Sequence, residues 1–171
     1  MAEKTHPATD GPPTDWLDVA LARAAGAAPV SGNRVCLLRD GPENFPAWLE
    51  AIASARHYVQ FETYIFRGDR TGQQFADALS ARAREGVQVR LLYDWAGSFG
   101  TSSRIWRGMR EAGVQLRCFN PFDWASPLGW VHRDHRKTVS VDGRVAFVSG
   151  LCVGDAWAGD PAKGIPPWRD T

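Results

Sequence analysis

The chain has 171 residues, 44% hydrophobic and 11% aromatic, enough for one domain of ordinary size with a real core and too apolar for global disorder. Lys and Arg total 20 against 19 Asp and Glu, so the net charge of +1 argues against a general nucleic-acid coat. No apolar run reaches bilayer length, the N-terminus lacks a signal-peptide core, and Cys36, Cys118 and Cys152 are too scattered for a disulfide framework or a zinc knuckle. These features predict a soluble, reduced, intracellular domain.

In chain order, residues 1–13 carry three prolines and read as a disordered lead, and residues 14–33 as an N-terminal helix and linker. Asp15 caps the predicted helix, which presents Trp16, Val19 and Ala20 on one face and stops at Gly26. Residues 34–39 (RVCLLR) read as a strand turned by Asp40-Gly41-Pro42, and a helix begins near Asn44 with Phe45, Trp48, Leu49 and Ile52 at helical spacing. The alternation continues with a strand over 58–66, a helix over 71–85 and a strand over 87–93. A helix over 102–112 and a strand over 114–119 complete it. Strands separated by helices of this length call for a layered α/β fold. The aromatic, proline-rich segment 120–130 breaks the rhythm. It reads equally well as a lid on its own domain or as a lipid contact beside a site. Two strands follow, 135–141 and 144–149, joined by Asp142-Gly143, a strong hairpin signal.

Of the 20 basic residues only three are lysines, and Lys137 is the one within the folded middle. It stands two residues after His135, which on a strand places both side chains on one face. An ammonium beside an imidazole disfavours its protonation, keeping the ring nucleophilic while offering positive charge to a phosphate oxygen. Asp142 lies at an odd offset from His135 and reads as a turn residue facing away.

The run H-R-K-T-V-S-V-D-G-R-V-A-F-V-S-G resembles the HxKx4D signature of the phospholipase D superfamily, and of bacterial cardiolipin synthase-like members in particular. The stretch F-E-T-Y-I-F from Phe61, with Asp69 and Gly72 after it, is similar to the family's early strand and helix entry. The final Trp168-Arg169-Asp170-Thr171 resembles its later acidic strand. The likeness spans residues 34–171 and implies an α/β fold, a layered α-β-α sandwich with a mixed sheet flanked by helices. It implies metal-free phosphodiester chemistry without a cofactor. His135 attacks phosphorus to give a phosphohistidine, Lys137 binds the non-bridging oxygens, and Asp170 orients the histidine. The signature counts Asp142 among the catalytic residues. Ser149, Gly150 and Cys152 occupy the phosphate-binding corner, where Cys152 replaces the family's usual Asn with a weaker donor. A buried filler is the other reading of Cys152.

Glu62 reads either as a site residue or as a hydrogen-bonded acid of the sheet, and His132 as a solvated loop histidine or part of the rim with Trp130. The implied activity is phosphatidyl transfer that makes cardiolipin from phosphatidylglycerol. A nuclease on the same site and an inactive half-domain are the alternatives. Only one H-x-K occurs, whereas the family site uses two. The partner is therefore a second copy of this chain or a missing C-terminal half, and residues 34–171 are expected to form the N-terminal half of a longer protein. The implied substrate is a phospholipid at a membrane surface, with no nucleic-acid partner and a cytoplasmic location peripheral to the cell membrane.

Overall fold

The computed structural model describes residues 16–28, 30–123 and 131–171. They fall into two units, the first ending at Leu37 and the second beginning at Leu38. In the first, Trp16–Ala25 forms the helix α1, which buries none of its residues. The predicted strand over 34–39 is absent. Val35 and Leu37 are 92% and 71% exposed, and residues 34–39 form no strand. A short apolar run makes a strand only when a neighbouring backbone takes up its hydrogen bonds.

The second unit is built on α2 (Asp40–Ala53), β1 (Tyr58–Thr63), α3 (Arg70–Arg84), β2 (Gln88–Asp94), α4 (Ser103–Glu111), β3 (Gln115–Phe119), β4 (Thr138–Val141), β5 (Val145–Val148) and the short α5 (Asp155–Ala158). Helix α2 starts four residues before the sequence-based expectation. Asp40-Gly41-Pro42 forms its first turn, where a proline's missing N–H costs no helical hydrogen bond. Asp69 caps α3 by accepting from Gly72 N at 3.0 Å.

The sheet order is β3-β2-β1-β4-β5, with β1, β2 and β3 parallel and β4 and β5 antiparallel additions. This is the expected mixed α/β sheet. Its helices α2, α3 and α4 bury Phe45, Trp48, Ile52, Phe75, Leu79, Ile105, Trp106 and Met109 against Val59, Phe61, Val89, Leu91, Val139 and Val141. Trp48 is 1% exposed, with its ring 5.6 to 6.2 Å from those of Phe45, Phe61, Phe75 and Phe147, distances typical of favourable aromatic pairs. Alternate strand residues face the other way. There Gln60, Arg90 and Arg117 are exposed, and Glu62 and Thr138 stand opposite each other in register.

Two features of the topology position the site. Because β4 runs antiparallel to β1, and β5 to β4, the end of β1, the start of β4 and the end of β5 meet at one edge of the sheet. The β4–β5 hairpin turns through Asp142 and Gly143, both with positive φ (53° and 65°), as its Asp-Gly pair predicts.

Candidate active site

Strand β4 starts at Thr138, so His135, Arg136 and Lys137 precede it rather than opening it. His135 and Lys137 still meet. Lys137 Nζ lies 2.9 Å from His135 Nδ1 and also donates to the His135 carbonyl. Tyr64, immediately after β1, packs its ring 4.6 Å from that of His135 at a tilt of 48° and lies 5.4 Å beneath the Lys137 ammonium, a cation–π contact. The pair is asymmetric in exposure, since His135 is open to solvent while Lys137 is only 5% exposed. Burial pushes the Lys137 pKa down, partly offset by Cys152, Asp170 and Asp134.

Both residues line a cavity of about 520 Å³ that also includes Tyr64, Ser149, Gly150, Cys152 and Asp170. Ser149 N donates to the Lys137 carbonyl at 3.2 Å, which ties the end of β5 to the start of β4. Asp170 enters through the final segment. Its N–H donates to Asp40 Oδ1 and its carbonyl accepts from Asp40 N, each at 2.8 Å. Its carboxylate accepts from Gly150 N at 3.2 Å and Thr171 N at 2.7 Å, and makes no hydrogen bond to His135. A Cβ on Gly150 would sit 2.1 Å from Asp170 Oδ2, so the carboxylate occupies space that only glycine leaves free. Cys152 is 3% exposed, and burial raises the pKa of its thiol, leaving it a small neutral wall of the cavity.

Three predicted site residues are not part of this cavity, and a fourth is not described. Asp142 lies at the hairpin turn, where its carboxylate accepts from the backbone N–H groups of Arg56, His57 and Tyr58 at 2.8 to 2.9 Å. These bonds hold its pKa down at about 2. The catalytic assignment of Asp142 is thus corrected to a structural one, since three backbone donors already claim its oxygens. His132 is exposed, with its carbonyl accepting from Asn120 Nδ2 at 2.9 Å, and it does not line the cavity. Glu62 lies beside the cavity, paired with Arg136 Nη2 at 2.8 Å and accepting from Thr138 Oγ1 at 3.2 Å. Trp130 lies outside the described residues, as does most of the aromatic segment before it.

The sequence reading did not assign several residues of this region to the site. Tyr64 is one, although an aromatic directly after a strand of an α/β sheet is a usable signal. Trp157, Trp168 and Val148 form an apolar rim, with Val148 83% and Trp168 61% exposed. Behind the histidine, fully buried Asp94 accepts from Asp134 N at 3.0 Å and pairs with Arg133 Nη1 at 3.3 Å. Asp134 in turn accepts from Arg136 N and Arg136 Nε. No cluster of metal-ligating side chains occurs among the described residues.

The family model described as "Cardiolipin synthase, PLD-like domain" matches residues 48–153. Cardiolipin synthase 1 of Bacillus anthracis is 41% identical over 136 residues, 79% of this chain and 26% of that protein. The cardiolipin synthase of Alkalihalophilus pseudofirmus is 39% identical over 153 residues, 88% of this chain and 30% of that protein. The chain therefore spans less than a third of the length of either curated relative. Among solved structures, a phosphatidylserine synthase from Haemophilus influenzae shares the fold, with a TM-score of 0.57 at 14% identity over 77% of this chain and 30% of that one. With the family match covering more than half of its residues, the chain belongs to the phospholipase D-like family of the cardiolipin synthase type.

Proposed function

We propose that this chain carries one half of a phosphatidyl-transfer site that makes cardiolipin from phosphatidylglycerol, with His135 as nucleophile. The observation that carries the reading is the His135–Lys137 pair, 2.9 Å apart at the wall of a cavity with an apolar rim. An imidazole that accepts at Nδ1 holds its proton on Nε2. Phosphate entering the cavity draws the Lys137 ammonium from Nδ1 to its non-bridging oxygens, and the ring proton passes to Nδ1. Nε2 then attacks phosphorus, and the bond from phosphorus to the glycerol oxygen breaks. A second histidine, from another copy of the motif, protonates that oxygen so that glycerol leaves.

In the second half-reaction a hydroxyl of another phosphatidylglycerol attacks the phosphohistidine. It gives its proton to the second histidine, releases His135 and yields cardiolipin. Water in place of that hydroxyl gives phosphatidic acid. Lys137 stabilises the charge that builds on the phosphoryl oxygens, and its depressed pKa reflects the low-polarity setting in which such a charge acts strongly. Asp170, on the same cavity wall, is the carboxylate to hold the proton on Nδ1 once Lys137 has turned away.

The second motif comes from a second copy of the chain or from further sequence of the kind the longer relatives carry. Peripheral binding to a membrane fits the exposed Val148 and Trp168 at the cavity mouth and the exposed Arg104, Arg107 and Arg110 on α4. No helix among the described residues is long and apolar enough to cross a bilayer. The test is product analysis with phosphatidylglycerol in mixed micelles. Cardiolipin and glycerol formed by the wild-type chain, alone or supplied with the missing half, and not by His135→Ala support the reading, and phosphatidylglycerol left untouched in both settings overturns it.

A further inference from the structure

Arg136 stands between the two residues of the proposed reaction, and its side chain is 71% exposed and lines the same cavity. It is not free to swing. Its Nε donates to Asp134 Oδ1 at 3.1 Å, and its Nη2 lies 2.8 Å from Glu62 Oε1. The two acids come from different elements, Glu62 from β1 and Asp134 from the segment before β4. Glu62 is itself fixed, because its Oε2 accepts from Thr138 Oγ1 at 3.2 Å, and Thr138 also lines the cavity. Ion pairs to so exposed a guanidinium add little stability, so folding alone does not account for holding it from two sides. A guanidinium has more N–H donors than these two bonds use. Arg136 Nη1 has no acceptor among the described residues.

The charge around this fork selects what it can hold. Besides His135, the basic residues lining the cavity are Arg136 and Lys137. They face three acids, since Glu62 and Asp134 pair with Arg136, while Asp134 and Asp170 act on the Lys137 ammonium. Behind them Asp94 and Arg133 neutralise each other. A phosphate at Lys137 adds one more negative charge, so a second anion at Arg136 meets repulsion from both of its acids. A neutral hydroxyl meets none. It accepts from Arg136 Nη1 and donates to Thr138 Oγ1.

We propose that Arg136, held by Glu62 and Asp134, is the specificity residue that binds the hydroxyl-bearing headgroup, a vicinal diol, and so selects the acceptor of the transfer. The inference deepens the proposed reaction and rests on it for the phosphohistidine. In an in-line exchange the glycerol leaves and the acceptor arrives along the same line through phosphorus, so one subsite serves both. Arg136 holds the secondary hydroxyl of the acceptor while its primary hydroxyl attacks. The new P–O bond forms, the P–N bond to His135 breaks, and the hydroxyl proton passes to the second histidine. Glu62 and Asp134 act through Arg136 and are positioning residues.

The test gives phosphatidylglycerol micelles equal amounts of 1,2-propanediol and 1-propanol, with the wild-type chain and Arg136→Gln, each alone or supplied with the missing half. Both alcohols compete for one phosphohistidine, so the ratio of the two transfer products does not depend on how much of the variant is folded. The wild type is expected to favour the diol about tenfold, the scale of one hydrogen bond to a charged group. Arg136→Gln is expected to bring the ratio close to even. An even ratio in the wild type, or a diol preference kept in Arg136→Gln, overturns the proposal. The Arg136 Nε–H resonance, followed by NMR on the full chain against glycerophosphoglycerol and glycerophosphopropanol, needs no turnover. Binding of the diol-bearing probe about tenfold more tightly supports the proposal, and equal affinity overturns it. No product with either alcohol is a failure of the proposed reaction, and the NMR titration then decides the headgroup subsite separately.

Discussion

Lys137 Nζ lies 2.9 Å from Nδ1 of His135, and the lysine is almost wholly buried while the histidine is open to solvent. The buried partner supplies charge and the exposed one meets the substrate. Removing the ammonium with Lys137→Met is expected to lower kcat by about 10²–10³-fold, the usual cost of losing one donor to a developing oxyanion.

Burial moves the Lys137 pKa down, so the charged form is lost as pH rises through a midpoint below 10.5. The rate profile is expected to fall on its alkaline side earlier than an ordinary lysine would allow. The linked effect on stability has the opposite sense. A lysine with a depressed folded pKa favours the native state most above its unfolded pKa, and that stabilisation is lost as pH falls through the folded value. Activity and stability measured over the same alkaline range should therefore move in opposite directions.

Gly150 and Asp170 offer a clean test of the orienting carboxylate. A methyl at Gly150 meets the carboxylate tip at 2.1 Å, the far end of a short side chain that can swing aside. Gly150→Ala is expected to leave the melting temperature within a few degrees of wild type while lowering kcat toward the level of Asp170→Ala. Thermal melts and kinetics on both variants check this, and full activity in Gly150→Ala counts against a role for Asp170.

Asp142 acts on stability rather than chemistry. Its pKa near 2, against an ordinary 3.8, means that its stabilisation is present above the ordinary value and lost as pH falls toward about 2. Asp142→Ala is expected to melt at a lower temperature at neutral pH. The gap from wild type should close across that acid window, as followed by circular dichroism.

The buried Asp94–Arg133 couple anchors the segment that leads into His135. Breaking such a pair on one side leaves an uncompensated buried charge and costs about 3–5 kcal/mol. Urea denaturation of Asp94→Ala should show a loss of that order. Exchanging both partners for apolar side chains of similar size should recover part of it.

Much of the second unit was legible in the sequence. Its helices carry apolar residues at helical spacing, its strands alternate, and Asp142-Gly143 adopts the two positive φ angles that a tight hairpin needs. The strand expected at 34–39 fails because the apolar run Val35-Cys36-Leu37-Leu38 cannot show by itself whether a partner strand exists. The His135–Lys137 pair was legible through the H-x-K pattern, although strand geometry is not what brings the side chains together. They meet through the turn before β4, fixed by Asp134 and Arg136. Contacts such as Glu62 with Arg136, or Asp142 with the backbone at 56–58, join residues far apart in sequence. Local pattern carries no sign of them.

The most direct measurement is the specific activity on phosphatidylglycerol micelles as protein concentration rises, with His135→Ala in parallel and the products resolved into cardiolipin and phosphatidic acid. The account predicts turnover that climbs faster than protein concentration, as two copies complete one site, and none from the variant. Equal turnover in His135→Ala, or no product at any concentration even when the missing half is supplied, would contradict it.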